Sequence, residues 1–247
     1  MKKILFLPLV FLASIVFGQQ LEGAWKLIEQ NGQPVTDKEF VKLYQDGYFA
    51  FGAKELAGNK FLSAGGGEFT LSGNTYTESF DFFTANPDMV GTSSTFLVDM
   101  KGNTMTISIS KDGHKLNETW QKIGDRKDDL TANWVFTGRK ANDEIRRSTP
   151  GDRRTVKILS GGRFQWIAFN SATKEFMGTG GGTYTAENGK YVETITFFSR
   201  DDSRVGASLG FDFQVMDGEW HHSGMSSTGN PIYEIWSKYR LAYQPNK

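Results

Sequence analysis

The chain has no cysteine in 247 residues. No disulfide can form and no lipidated cysteine can follow a leader, so an oxidising compartment is tolerated and stability has to come from packing. Charge of one sign is lacking too: 28 Lys and Arg balance 28 Asp and Glu, which leaves no electrostatic footprint for nucleic acid. Past the first residues there is no further apolar run long enough to cross a bilayer.

The one long apolar run stands at the start. Lys2 and Lys3 precede the stretch Ile4 to Phe17, and the small residue Gly18 follows it, the order of a secretory signal peptide. Residues 1–18 are expected to be removed, leaving Gln19 first and placing the protein in the periplasm or outside the cell. The run is short for a membrane span. What remains carries 26 basic and 28 acidic side chains, and its length suits two domains.

One block occurs twice. Phe61 to Gly91 and Phe176 to Gly206 align without a gap over 31 positions, every pair 115 residues apart and 11 of them identical. The chain therefore reads as a tandem duplication. Turn dipeptides fall at matching places in each half: Asp46-Gly47, Gly73-Asn74, Gly102-Asn103 and Asp112-Gly113, then Gly161-Gly162, Asn188-Gly189, Asp217-Gly218 and Gly229-Asn230. Between them run short segments rich in Thr, Tyr, Phe, Val and Ile. They predict about eight strands per half, near 24–28, 41–45, 47–52, 61–70, 74–83, 93–100, 104–110 and 117–122, then near 133–137, 156–159, 163–169, 177–185, 190–198, 207–215, 220–226 and 233–238. Eight strands joined by hairpins hide both sheet edges by closing.

The expected fold is all-β: two tandem eight-stranded antiparallel up-and-down barrels, residues 19–123 and 130–247, joined by the charged linker 124–129. The non-strand insertions fall after the first strand of each half. Residues 29–40 include Thr36 to Glu39, which could start a helical turn, and residues 138–155 are longer and more charged. Each would lie across a barrel mouth as a lid.

Gly23-Ala24-Trp25 resembles the Gly-x-Trp signature of the lipocalins, in which the indole closes the barrel floor. That resemblance implies a cation from the last strand on the ring, and Glu118-x-Trp120-x-Lys122 and Glu234-x-Trp236-x-Lys238 offer Lys122 and Lys238 for it. The second half departs from the signature with Ala132-Asn133-Trp134, and neither half has the acidic-aromatic motif of the middle strands. A closer likeness is to lipocalin-like, calycin-type domains of unknown function in secreted bacterial proteins, which share the Gly-Gly-Gly-Thr-Tyr-Thr start and the Glu-x-Trp end. It implies a barrel and no particular reaction.

Alternation sets Tyr76, Glu78, Phe80 and Phe82 on one side, and Tyr191, Glu193, Ile195 and Phe197 likewise. That side is apolar and should face inward, where a carboxylate needs a partner. Two arrangements meet that need: an ion pair with Lys42 or Lys157, or contact with a ligand. Glu118 and Glu234 share a face with Trp and Lys, so each barrel could hold two carboxylates, without a hydrolase spacing legible in sequence. Trp220-His221-His222-Ser223 breaks the symmetry, since at an offset of 116 the first half has Thr104 to Ile107. Adjacent histidines on a strand point apart and cannot share a metal; one core and one solvent histidine, or His222 working beside Glu193 or Glu234, are the alternatives. His114 falls in a turn and is expected in solvent.

The triple glycines 65–67 and 180–182 are not a phosphate loop, because no Lys-Ser/Thr or helix start follows. They suit a coiled strand or a close-packed ring. Arg139, Arg146, Arg147, Arg153 and Arg154 crowd the second lid, either solvated or able to hold an anionic group by paired hydrogen bonds.

The leading expectation is a binding protein for a small, partly apolar anion in the second barrel. Its contacts would come from Phe164, Trp166, Tyr191, Glu193, Phe197, Phe211, Trp220, His222, Arg146 and Arg147. No metal or cofactor is implied, and the expected partner is a small molecule. The alternatives are an enzyme on a carbohydrate or lipid-derived substrate with Glu193, Glu234 and His222 in proton transfer, and a structural module with filled barrels.

Overall fold

The computed structural model describes residues 20–111, 114–226 and 228–243. The expected leader, Gln19 and the Asp112-Gly113 turn lie outside the described residues, as does the side chain of His114.

The chain forms two closed eight-stranded antiparallel barrels in tandem. The first contains β1 (Gly23–Gln30), β3 (Lys38–Gln45), β4 (Tyr48–Glu55), β5 (Phe61–Ser72), β6 (Thr75–Phe83), β7 (Ser93–Lys101), β8 (Thr104–Lys111) and β9 (His114–Gly124), with a short β2 (Gln33–Pro34) hairpinned onto β1. The second contains β10 (Ala132–Ala141), β12 (Arg153–Ser160), β13 (Arg163–Asn170), β14 (Glu175–Glu187), β15 (Lys190–Phe198), β16 (Ser208–Met216), β17 (Glu219–Met225) and β18 (Pro231–Lys238), with β11 (Glu144–Arg147) hairpinned onto β10. Sequential strands pair throughout. Closure comes where Trp25 lies opposite Lys42 on one side and Lys122 on the other, and where Trp134 lies between Lys157 and Lys238. A four-residue helix, α1 (Tyr239–Ala242), follows.

The hairpins have the backbone their turn residues suit. Asp46 and Gly47 have φ of 54° and 72°, and Asn188 and Gly189 have 51° and 74°, the positive pair that a two-residue primed turn needs. The same chemistry corrects the expected lids. Asn31 and Gly32 (φ 53° and 78°) turn the chain back at once, and Val35 N–H donates to the Ile28 carbonyl at 2.9 Å. The chain thus stays extended, and Lys38 and Glu39 open β3 rather than a helical turn. In the second half, β10 runs on to Ala141 and folds back as β11, so this connection too begins as a hairpin.

The triple glycines mark a bulge in each barrel. Pairing shifts between Gly66 and Gly67 and between Gly181 and Gly182. A Cβ on Gly67 would sit 1.9 Å from the Ser79 carbonyl oxygen, and one on Gly182 would sit 1.9 Å from that of Thr194. Only glycine fits there. The extra residue reverses the alternation, so Phe82 and Phe197 leave the inward set to which the uninterrupted pattern assigned them, while Phe83 and Phe198 turn in.

Those two rings meet between the barrels. Phe82 stacks on Phe169 at 5.3 Å and on Phe176 at 6.4 Å, Phe197 stacks on Phe61 at 6.5 Å, and Phe61 stacks on Phe176 at 6.4 Å. Phe61, Phe82, Phe169 and Phe176 belong to an apolar layer with Leu43, Ala50, Val156, Ile158 and Ile167, distinct from the two barrel interiors. At its edge Arg154 pairs with Asp81 at 2.8 Å, and Asp81 also accepts from the Tyr48 and Tyr239 hydroxyls at 3.0 and 3.3 Å. Ser160 Oγ accepts from Gly23 N–H at 3.0 Å and donates to the Tyr44 carbonyl at 2.8 Å.

Candidate functional site

Both lumens are built on one anchor. Lys42 on β3 and Glu78 on β6 form an ion pair, and the Tyr76 hydroxyl donates to the same Glu78 oxygen at 2.5 Å. Lys157 and Glu193 form the same pair in the second barrel, with the Tyr191 hydroxyl donating to Glu193 Oε1 at 2.7 Å. The two glutamates thus take the ion-pair arrangement, inward and nearly solvent-free. Aromatic faces surround each ammonium: Lys42 lies 5.0 Å from the Phe49 centroid, and Lys157 lies 5.1 and 5.2 Å from those of Tyr191 and Trp220. Burial works most strongly against the charge on Lys42, and Glu78, Tyr44 and Glu118 together outweigh it, holding the amine above the ordinary lysine range. Burial, then the neighbouring carboxylates, push the Tyr76 and Tyr191 hydroxyls well up.

The floors follow the resemblance in part. Trp25 and Trp134 each donate from Nε1 to a carbonyl four residues earlier, Leu21 and Leu130, at 2.8 Å. Lys122 lies over the Trp25 ring at 5.3 Å. Lys238 is exposed beside Trp134, whose ring meets Trp220 edge to face at 5.8 Å instead.

The lumens part company above the anchor. Met105 stands opposite Trp120 and Ile107 opposite Glu118, whereas Trp220 stands opposite Trp236 and His222 opposite Glu234. The counterparts of Trp220 and His222 are therefore Met105 and Ile107, which corrects the offset of 116 to 115 at this strand. The extra residue of the second half falls in the hairpin that follows. In the first barrel Glu118 accepts from Gln30 Nε2 at 3.0 Å and from Trp120 Nε1 at 3.1 Å. In the second, Glu234 Oε2 accepts from His222 Nε2 at 2.9 Å and from Trp236 Nε1 at 3.1 Å. His221, on the outer face, lies 3.0 Å from the Tyr233 hydroxyl.

These contacts set opposite proton affinities. Burial raises the Glu118 carboxyl above the usual range. Burial is the largest influence on Glu234 too and pushes it up, but His222, Lys157 and Trp236 together outweigh it and hold that carboxyl below its ordinary value. Burial lowers His222 against the pull of the same bond. The pair is a neutral imidazole and a carboxylate near neutral pH; Trp236 Nε1, 3.3 Å from His222 Nε2, gives its hydrogen to the nearer Glu234 oxygen, so Nε2 carries the proton and Nδ1 is a lone-pair acceptor. Among the described residues, His222 Nδ1 and Trp220 Nε1 are both buried without a hydrogen-bond partner.

The mouths differ as well. Phe40 stacks on Phe51 at 4.9 Å and meets Trp120 edge to face at 5.4 Å across the first mouth. Its counterpart is Thr155. Half-buried Phe136, Trp166, Leu209 and Ile232 pack on the second core, with Trp166 edge to face on Phe198 at 5.7 Å. Phe164, Tyr191, Phe211 and Trp220 belong to that core. Phe197 does not: the bulge sends it to the other barrel.

The arginines separate by face. Arg147 crosses the outer wall to Glu219 with two hydrogen bonds of 2.8 and 2.9 Å, and Arg154 is buried between the barrels, so neither stands at the mouth as expected. Arg139 lies opposite Arg146 on one side and Glu234 on the other, so all three share the lumen-facing side; the first barrel has Gln30 and Gln33 at the two arginine positions. Among the described residues, surface recesses include two larger ones. One of about 520 Å³ lies against the first barrel, lined by Phe96, Leu97, Ile109 and Leu116, and one of about 430 Å³ lies along the outer wall of the second, beside His221 and Tyr233. The sequence pointed to neither.

Among the described residues there is no group of three or more metal-binding side chains, and no helix long and apolar enough to cross a membrane. Fold and lumen define a tandem β-barrel protein whose two interiors share one Lys-Glu-Tyr anchor and differ above it. Residues 20–129, the first half, match the model of a family described as a domain of unknown function, DUF4488. No curated protein matches the chain. Among solved structures it is similar to the uncharacterized protein YLR301w from Saccharomyces cerevisiae at 10% identity and a TM-score of 0.38, over 92% of this chain and 90% of that one.

Proposed function

We propose that the protein is an exported binding protein whose second barrel takes up a small, partly apolar anion. One observation carries this reading: on a shared Lys-Glu-Tyr anchor, the first lumen has Met105, Ile107, Phe40, Gln30 and Gln33, where the second has Trp220, His222, Thr155, Arg139 and Arg146. A packed core has no need of these changes. Two arginines directly opposite on neighbouring strands repel, and a bound anion relieves that repulsion through paired hydrogen bonds. The half-buried rings at the mouth supply apolar area. The lipocalin-like resemblance agrees with a ligand inside the barrel.

The proton-transfer reading is less well supported, because Glu193 Oε1 already accepts from both Lys157 and Tyr191. A carboxylate held so closely is a poor general base.

The test is titration with 8-anilinonaphthalene-1-sulfonate, followed by fluorescence. The expected result is saturable binding that weakens roughly tenfold when Arg139→Gln and Arg146→Gln are combined, and that Arg147→Gln leaves unchanged. Absence of saturable binding overturns the proposal. Undiminished binding by the double variant would move the site to the apolar recess of the first barrel.

A further inference from the structure

Trp220 and His222 carry two polar atoms that the fold leaves unanswered. Trp220 is fully buried and His222 is 2% exposed, their rings lie 4.9 Å apart, and both belong to the wall of the second lumen with Tyr191 and Phe211. Trp220 Nε1 carries a hydrogen and His222 Nδ1 a lone pair, because the His222 hydrogen sits on Nε2 and is donated to the Glu234 carboxylate. A buried polar group with no partner is destabilising. The first barrel avoids this with Met105 and Ile107, so apolar side chains are compatible with the fold at both places.

One unmatched donor and one unmatched acceptor on adjacent rings describe what would satisfy both. A carboxylate cannot donate to Nδ1, an ammonium cannot accept from Nε1, and an alkyl group can do neither. A hydroxyl does both at once. We infer that the second lumen contains a hydroxyl-recognition site, in which Trp220 Nε1–H donates to the oxygen of a ligand alcohol and His222 Nδ1 accepts its proton. This rests on the reading of the second barrel as a ligand site and narrows the ligand to a hydroxylated, partly apolar acid. Its anionic end faces Arg139 and Arg146, and its hydroxyl reaches inward. The Glu234 bond has a second use here: by accepting the Nε2–H hydrogen bond, Glu234 fixes the tautomer whose Nδ1 accepts, which makes it a positioning residue.

The experiment compares octanoate with 8-hydroxyoctanoate by isothermal titration calorimetry on the intact chain. Two hydrogen bonds at a buried site predict that the hydroxylated acid binds wild type roughly tenfold more tightly. Trp220→Phe keeps a ring of similar shape and deletes the donor, and it should bring the affinities for the two acids together. A ¹⁵N spectrum gives an independent reading, since the His222 Nδ1 resonance should shift on addition of 8-hydroxyoctanoate and stay put with octanoate. Equal affinities of wild type for the two acids overturn the hydroxyl site and leave the binding reading standing; so does an Nδ1 already hydrogen-bonded before any ligand is added, which would mean a resident water. A protein that takes up the naphthalene sulfonate and neither acid also overturns the hydroxyl site. Failure of the sulfonate as well overturns both proposals.

Discussion

Lys157 and Glu193 form an ion pair inside the second barrel with side chains 6% and 7% exposed, and the Tyr191 hydroxyl completes the coordination of the same carboxylate oxygen. A pair this deep gains little over apolar residues of equal volume, but removing one partner strands the other charge.

Glu193→Gln should therefore destabilise the protein by roughly 3–5 kcal/mol in urea denaturation. Combining Glu193→Leu with Lys157→Met should recover most of that loss. If the single change costs under about 1 kcal/mol, the anchor is not the structural element described above. The counterpart change Glu78→Gln should behave alike.

His222 provides a pH test. Its folded-state affinity for protons lies below the ordinary histidine value, burial being the main cause. The unfolded chain therefore binds the extra proton first, so stability is complete above about pH 6.5 and is lost as the pH falls below that toward the folded value. His222→Gln should flatten this part of the stability curve. A variant whose melting temperature drops as steeply as wild type between pH 7.5 and 5.5 would contradict the assignment.

The bulges are tested by two alanines. Gly182→Ala sets a Cβ 1.9 Å from the Thr194 carbonyl, whereas a Cβ at Gly210 meets nothing within 4 Å. Gly182→Ala should lower stability by at least roughly 2 kcal/mol, and Gly210→Ala should stay within about 1. Thermal melts compare them directly, and equal losses would remove the steric account.

Between the barrels, Arg154→Ala strips a guanidinium that is 1% exposed from Asp81 and from the rings of Phe169 and Tyr243, 4.6 and 4.1 Å away. A loss of roughly 3 kcal/mol is expected. Arg147→Ala breaks the bidentate pair with Glu219 on the surface and should lose under about 1. Urea titrations that rank the two the other way would show that Asp81 has found another partner.

Much of the architecture was legible because it is periodic. The duplication, the hairpin turns and the inward Glu78 and Glu193 all follow from spacing and alternation. Phe197 was misread because a bulge changes the period by one residue, and the glycines that signal it are equally consistent with a smooth bend. Arg147 and Arg154 were misread because charge density along a loop says nothing of which face of a hairpin or strand each side chain takes. The match of Trp220 with Met105 needed the register of β17 against β18, since the offset between halves changes in the loop beyond them. The pairing of Arg154 with Asp81 joins residues from different halves, and no local pattern announces that.

The stacking of Phe61 on Phe176 brings a residue against its own duplicate, which in two like bodies happens only on a rotation axis. Phe61 on Phe197 and Phe176 on Phe82 exchange roles about that axis. The contact face is thus self-complementary, of the kind by which two separate halves would close into a dimer, and here the closure is written into one polypeptide. Fusion removes the obligation that both partners carry the same residue. Arg154 can then seek Asp81 while Glu39 stands at its own mirrored place, and by the same freedom one interior can stay greasy while the other acquires an imidazole.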